Sequence, residues 1–285
     1  MNRLEQIRKH FASADQQESS RPNNYYPFWN MQIGEQAVVR FLPDRDPENP
    51  TGFLVEKLMH NLVVNGEKQK VPCLKMFGDD CPICKVSSSF YKAKDEDNGK
   101  KYWRKKQHIA QALIVDDPLP ADKETGETHE GKVRFLALGY QLFNIIKDTF
   151  ESGELDEVPF SYDGGYNFVI KKTEQGKYST YTVGSKFVRK ASSLTEDEIA
   201  VVEEEMVELS TLLPAKPTIE KVESMLEASL NGSSYEHDSV SSDSVSSDSV
   251  SSSVDDTSVS DDGEVNDDDV LSLLEEIKSR TKNRT

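Results

Sequence analysis

The feature that most constrains this chain is a compact cluster of cysteines with a histidine upstream. The chain has 3 cysteines, and the whole pattern is His60-x12-Cys73-x7-Cys81-x2-Cys84. Thiolates and an imidazole are the ligands that zinc prefers, and four of them complete a tetrahedron with no open position. The odd number of cysteines argues against a disulfide framework and favours a metal site in a reducing compartment. We therefore predict one zinc ion with a structural role and no catalytic one.

Two other interpretations of the cluster stay open. In the first, the cysteines are buried free thiols beside a surface histidine. In the second, Cys81 and Cys84 form a redox pair, which leaves Cys73 unexplained. Four further histidines are candidates for the fourth ligand, but none lies close before the cysteines or within the cluster: His10, His108, His129 and His237.

A basic and aromatic stretch follows the cysteines directly. Between Lys85 and Lys106 there are 8 basic and 3 acidic residues. The aromatic side chains interleaved with these charges are Phe90, Tyr91, Tyr102 and Trp103. Cations neutralise phosphates, and flat rings stack on unpaired bases, whereas the bases of a duplex are already stacked on one another. The stretch therefore predicts binding to single-stranded DNA.

A second pair of aromatic residues extends this prediction. Tyr178 and Tyr181 lie three residues apart on or beside a predicted hairpin strand, where they enlarge the stacking surface. The alternative for the whole region is a solvated charged loop whose aromatic side chains belong to the core.

The acidity of the chain is concentrated at its C-terminal end. The net charge is −17, yet residues 1–195 hold 28 basic and 27 acidic side chains. Residues 232–285 hold 4 basic and 14 acidic side chains. The overall charge therefore does not exclude a nucleic-acid-binding surface within the first 195 residues.

The segment 231–285 is predicted to be a disordered acidic tail. Its central part, 238–254, repeats Asp-Ser-Val-Ser-Ser and offers too little apolar area to order itself. Near its end, an apolar stripe between acidic and basic residues predicts a helix that docks on a partner protein. The stripe consists of Val270, Leu271, Leu274 and Ile277. The alternative is a tail that only keeps the protein soluble.

Periodicity predicts many short strands with helices added at the end. The strand-like segments are 37–42, 52–62, 110–115, 133–138, 166–172 and 178–183, the last two forming a hairpin across Gly176. The predicted helices are 2–12, 140–152, one from Thr195 with a capping box to Glu198 and an apolar stripe reaching Leu213, and one after Pro217. The predicted fold class is α+β, mainly β, with a small barrel and appended helices.

Membrane proteins and enzymes are not expected from this sequence. No run of about 18 apolar residues predicts a membrane span, and residues 1–11 lack the apolar region of a signal peptide. Apart from the closed metal site, the sequence contains no phosphate loop, no credible catalytic triad and no paired carboxylates in a recognisable frame.

Several strings of the sequence match one known family. They include the His-x12-Cys and Cys-Pro-x-Cys patterns, the Arg-Lys-Lys run at 104–106, and the acidic tail that ends in a leucine helix. Further strings are VVRFLP (38–43), EGKV (130–133), YNFVIK (166–171), SKF (185–187) and EEMVELS (204–210). Over nearly its whole length, the chain resembles the gene-32-type single-stranded-DNA-binding (helix-destabilising) proteins of T-even-like phages.

This resemblance implies an organisation and a function. The expected parts are a basic arm (1–20) for head-to-tail self-association, an OB-fold core (21–230) with a zinc-binding subdomain (about 56–108), and the tail (231–285). The implied function is cooperative coating and protection of single-stranded DNA during viral replication, recombination and repair. The tail would recruit replication and recombination proteins of the polymerase, helicase-loader and recombinase classes, in the cytoplasm of the infected host cell.

The resemblance also implies particular site residues, because Arg104, Lys105 and Lys106 fall on the family's basic DNA-contacting run and Tyr178 and Tyr181 fall on its aromatic pair before SKF. The other expected DNA-binding residues are Arg40, Tyr91, Lys101, Tyr102, Trp103 and His108. The expected self-association residues are Arg3, Arg8 and Lys9.

The chain departs from the family pattern in three places. The family's Tyr-Trp pair after the basic run appears here as His108-Ile109. The segment between Cys73 and Cys81 is shorter, and the arm spreads its basic residues along a helix where the family has a Lys-Arg-Lys-Ser-Thr run. Two rival functions stay open: a zinc-containing adaptor or transcription factor, and an RNA-binding regulator.

Overall fold

The computed structural model describes residues 24–122 and 126–231. The predicted N-terminal helix with its self-association residues, and the predicted tail with its docking helix, lie outside the described residues. Contacts divide the chain into two units. The first unit comprises 24–57, 107–122 and 126–213, and the second comprises 58–106 and 214–231, counting described residues alone.

The described residues form nine strands and five α-helices. The strands are β1 (Gln36–Phe41), β2 (Leu54–Val64), β3 (Glu67–Pro72), β4 (Lys105–Asp116), β5 (Val133–Leu138), β6 (Phe168–Lys171), β7 (Thr173–Gln175), β8 (Tyr178–Thr180) and β9 (Lys186–Phe187). The helices are α1 (Pro82–Lys92), α2 (Glu96–Tyr102), α3 (Tyr140–Ser152), α4 (Glu196–Glu205) and α5 (Ile219–Asn231). The prediction of a mixed fold dominated by sheet is therefore confirmed. No helix of the described residues is long and apolar enough to cross a membrane.

The first unit is built on antiparallel strands around an aromatic core. β4 pairs with β1 and β5, β1 pairs with β6, and β6 pairs with β9. The ring of Phe41 lies 5.5 Å from that of Phe168 and 6.1 Å from that of Phe187. All three rings are buried, as expected where alternate residues of neighbouring strands face one core.

The second unit contains a β-hairpin that sequence reasoning missed. β2 pairs with β3 across Asn65-Gly66, whose φ angles are 54° and 84°. Two successive positive φ values are typical of Asn-Gly turns, which connect the strands of hairpins that have two-residue loops. The signal was therefore present in the sequence. The charged composition of β3 concealed the strand.

The same unit has a core of its own. Helices α1 and α2 replace the loop that the charge pattern suggested after the cysteines. Helix α5 places Val222 and Leu226 in a buried cluster with Leu62 and the three cysteines. Gly99 allows α2 to lie close to α1, because a Cβ atom there would come within 2.9 Å of the Tyr91 ring.

Two details of the predicted secondary structure are wrong. β8 pairs with β7 across Gly176, and 166–172 contributes β6 to the main sheet. Helix α4 begins with the predicted capping box at Thr195 but ends at Glu205. Beyond it, the side chain of Gln111 binds both backbone groups of Val207, and these bonds hold the chain out of the helix.

Candidate metal centre and nucleic-acid interface

The four predicted metal ligands come from separate elements of the second unit. His60 lies on β2, Cys73 directly follows β3, Cys81 is the N-cap of α1, and Cys84 lies in its first turn. Pro82 at the first helical position starts α1 immediately after Cys81, so the two α1 cysteines face one point. All four ligands are buried.

The distances between ligand atoms fit a tetrahedral metal site. The Cys73 and Cys84 sulfurs lie 3.5 Å apart, and the His60 Nε2 atom lies 3.4 Å from Cys81 Sγ and 3.5 Å from Cys84 Sγ. All four ligand atoms lie within 4.8 Å of one another. Zinc–ligand bonds of about 2.0–2.3 Å place tetrahedral corners roughly 3.5–3.8 Å apart. The cysteines are free, with no disulfide among them, and the four predicted ligands lie close enough together to bind one metal ion.

Without a metal, burial and hydrogen bonds among the four ligand residues shift the pKa values of three of them. Burial lowers the pKa of His60, but hydrogen bonds with the Cys81 and Cys84 sulfurs outweigh it and raise that pKa to about 9. Hydrogen bonds from Cys73 and Cys84 lower the pKa of Cys81. Hydrogen bonding to Cys81 and Cys84 raises the pKa of Cys73. A divalent cation would replace the protons held among these groups.

Two contacts connect the metal ligands to the basic segment Lys101–Lys106. The Nδ1–H group of His60 donates to the backbone carbonyl of Tyr102 over 2.9 Å. The Arg104 guanidinium donates from Nη1 to the Cys84 sulfur over 3.9 Å. Hydrogen bonds from outside the ligand set orient the groups that bind a metal. Here they also hold the backbone of Tyr102 and the side chain of Arg104 in place.

The predicted DNA-binding residues of this unit differ in exposure. Lys101, Lys105 and Lys106 are exposed, and Tyr91, Trp103 and Arg104 are partly buried. The Arg104 guanidinium lies 4.8 Å from the centre of the Trp103 ring. The Tyr91 and Trp103 rings are nearly perpendicular, with 5.8 Å between their centroids. The segment therefore presents cations next to a partly exposed indole, which suits phosphates and stacked bases.

Tyr102 does not belong to this surface. Only 2% of the side chain is exposed, and its ring stacks on Phe90 at 5.8 Å. The alternative of aromatic side chains in the core holds for this residue. Direct stacking of Tyr102 on a base does not fit the structure.

Arg40 and His108, in the first unit, are also buried. Arg40 is 1% exposed, and its guanidinium donates to the Asn167 side chain and to the carbonyls of Ser161 and Ser192. The ring of His108 stacks face to face on Phe143, with 3.5 Å between centroids. The expectation that these two residues contact DNA does not fit the structure, because neither presents its polar atoms to a strand.

The hairpin β7–β8 presents the second predicted aromatic pair. Tyr178 is 68% exposed, whereas Tyr181 is partly buried. The rings of Tyr181 and Phe28 are nearly perpendicular, with 5.4 Å between their centroids. The surrounding segment 164–194 is basic, a feature that the sequence analysis missed. It carries one acidic residue, Glu174, against six basic ones: Lys171, Lys172, Lys177, Lys186, Arg189 and Lys190. Counting charge in windows along residues 1–195 would have revealed it.

Comparison with models of known protein families gives a match. The model of the family described as "gp32 DNA binding protein like" matches residues 34–231. This range includes the first unit from residue 34 onward, the whole second unit, the four metal ligands, and the basic segments Lys101–Lys106 and 164–194. No curated protein matches the chain at a significant level.

Proposed function

This chain belongs to the gp32-like DNA-binding protein family, and from that premise we propose that it binds single-stranded DNA. The proposal rests first on the segment Lys101–Lys106, where exposed cations flank a partly exposed indole. Cations follow the phosphate backbone of a strand, and an accessible ring needs an unpaired base as its stacking partner. The contacts proposed here are Lys101, Trp103, Arg104, Lys105 and Lys106, with Tyr91 supporting Trp103.

The hairpin surface of the first unit supplies a second set of contacts in this proposal. Tyr178 offers an exposed ring, and Tyr181 offers a partly exposed one beside it. The excess of basic residues in 164–194 makes this surface attractive to phosphate.

We further propose that the metal is zinc and that its role is structural. Three thiolates and one imidazole are the zinc donors of closed sites, which leave no position for an activated water. The ion would hold β2, the segment after β3 and α1 together. The hydrogen bond to Tyr102 and the bond from Arg104 would then carry that order to the DNA-binding segment.

The biological role proposed is cooperative coating and protection of single-stranded DNA in viral replication, recombination and repair. The first unit would act as an OB-type barrel. The arm 1–20, with Arg3, Arg8 and Lys9, would dock on the next copy along the strand. The tail 231–285 would compete for the DNA surface and recruit replication and recombination proteins through its terminal apolar stripe. The negative charge of the tail motivates the proposed competition for the DNA surface, because 14 acidic side chains fall in 232–285.

The decisive experiment is a fluorescence titration with single-stranded and double-stranded DNA of one sequence at two salt concentrations. The chain has 2 tryptophans, so Trp29→Phe leaves Trp103 as the single indole reporter. We expect quenching of Trp103, preference for the single strand and a steep loss of affinity with salt. Equal affinity for both forms would refute the single-strand proposal.

Two further arms of the experiment separate the alternatives. An RNA oligomer of the same sequence that bound more tightly would favour an RNA-binding regulator, and absence of binding to either strand would favour an adaptor. Deletion of 232–285 should tighten DNA binding at low salt. An unchanged affinity would refute the competition between tail and DNA.

A further inference from the structure

An exposed aromatic side chain begins α3, beside the hairpin that carries Tyr178. Tyr140 is the first residue of the helix and is 49% exposed. The first turn of α3 carries no acidic residue, so no fixed negative charge there would repel a phosphate backbone. The ring has no role in the core or in the contacts proposed above.

Gln141, the next residue, fixes the start of α3 to the hairpin. Its Oε1 atom accepts a hydrogen bond from the backbone N–H of Tyr181 over 3.0 Å and another from the Thr180 hydroxyl over 3.2 Å. The hairpin and the helix start are therefore one surface within the first unit.

The alternation of side chains along β8 places Tyr178 on the same side. In a strand, residues i and i+2 face the same way, so Tyr178 faces as Thr180 does, and Thr180 is bound to Gln141. Tyr140 therefore adjoins Gln141 on the helix side of this junction, Tyr178 lies two residues before Thr180 on the hairpin side, and both rings are accessible to solvent.

We propose that Tyr140 is a base-stacking residue of the DNA-binding surface, adjacent to Tyr178. The inference rests on the proposed function and adds a contact that neither the sequence patterns nor the family match identified. The occupant is an unpaired base of a DNA strand, because the segment 164–194 that contains Tyr178 carries six basic residues and one acidic one. A polyanion with flat bases matches both this excess of positive charge and the ring chemistry.

The test uses a tryptophan placed at the position itself. In a chain carrying Trp29→Phe and Trp103→Phe, Tyr140→Trp provides a single indole at the start of α3. We expect saturating oligothymidine to quench its fluorescence, and an abasic phosphodiester oligomer of equal length to leave it nearly unchanged. Equal quenching by both oligomers, or none by oligothymidine, would overturn the stacking role.

Affinity measurements with the full chain give the second readout. Tyr140→Ala should weaken oligothymidine binding about 5- to 150-fold, the equivalent of about 1–3 kcal/mol for one stacked base. Tyr140→Phe should bind as the wild type does, and neither variant should change affinity for the abasic oligomer. The matched control is Ile33→Ala, since Ile33 is an equally exposed apolar residue of the same unit (51%) outside this junction.

The outcomes separate this inference from the proposed function. If wild type binds oligothymidine and Tyr140→Ala binds it equally well, the stacking role of Tyr140 is refuted and DNA binding stands. If the wild type does not bind a single strand, the proposed function is refuted first. An unchanged melting temperature of Tyr140→Ala would assign its loss of affinity to the contact, and a loss shared with Ile33→Ala would overturn the proposal.

Discussion

The Nδ1 atom of His60 lies 2.9 Å from the backbone carbonyl oxygen of Tyr102. A carbonyl only accepts, so the proton of the neutral ring is on Nδ1 and the lone pair of Nε2 is directed at the cysteines. One hydrogen bond thus prepares a metal ligand and at the same time holds the backbone that leads into the basic segment. Order at the metal site and order at the DNA-binding segment are therefore expected to change together.

Replacement of His60 tests the metal site directly. His60→Ala removes one of four ligands and also the bond to Tyr102, so it should lower zinc affinity and the melting temperature. Metal-linked folding contributes about 10 kcal/mol or more in small zinc domains, so a chelator should destabilise the wild type strongly and the variant little. The measurements are zinc content after dialysis and thermal unfolding with and without chelator. His129→Ala, in the other unit, is the control. One zinc held as tightly by His60→Ala would show that His60 is not a ligand.

Zinc binding should strengthen as the pH rises. The pKa of His60 in the metal-free site is raised to about 9, above the value of about 6.5 for an unfolded histidine. The protonated ring therefore stabilises the metal-free fold fully below pH of about 6.5, and this contribution is lost as pH rises through 9. Zinc must displace that proton, so its affinity should rise at least about tenfold per pH unit between 6 and 8. Chelator competition at three pH values measures it, and a flat profile would contradict the assignment.

Arg104 and Lys105 should separate two roles that adjacent cations have. Both variants, Arg104→Ala and Lys105→Ala, remove a proposed phosphate contact and should each reduce the salt slope of single-strand binding by about 0.7. Only Arg104 donates to the Cys84 sulfur, over 3.9 Å, so only Arg104→Ala should speed zinc transfer to a chelator. Stopped-flow transfer rates measure the difference. Equal rates in the two variants would mean that the Arg104 contact does not support the metal site.

The metal site was predictable from the sequence because its chemistry depends on residue type and spacing. Three cysteines and a histidine can share one ion only if the chain brings them together, and Pro82, which starts α1 directly after Cys81, is a local signal that it does. The capping box of α4 was predictable for the same reason, since Thr195 and Glu198 interact within one turn.

The exposure of single residues was not predictable, because it depends on partners distant in sequence. Arg40 and His108 carry polar groups, yet long-range contacts with Asn167 and Phe143 bury them. The end of α4 is set in the same way by Gln111. The periodicity of the sequence predicts an apolar stripe that continues to Leu213, but tertiary hydrogen bonds determine where the helix ends.

Arg40 provides the sharpest contrast between a structural arginine and a DNA-binding one. Its guanidinium donates to Asn167 Oδ1 over 2.7 Å and to the carbonyls of Ser192 and Ser161 over 3.0 and 3.3 Å. Gly165 packs against it, since a Cβ atom there would lie 2.7 Å from Nη1. Arg40→Ala removes hydrogen bonds donated by a charged group that is itself buried, and such bonds contribute about 1.5–3 kcal/mol each.

We therefore expect Arg40→Ala to lower the free energy of unfolding by about 3 kcal/mol or more in urea denaturation. Arg40→Lys should recover only part of the loss, because an ammonium group cannot reproduce the planar fork of donors. The salt slope of single-strand binding, measured on the folded fraction at low temperature, should stay at the wild-type value, in contrast to Lys105→Ala. A reduced slope with unchanged stability would instead mean that Arg40 leaves these acceptors and contacts a phosphate, as the sequence analysis expected.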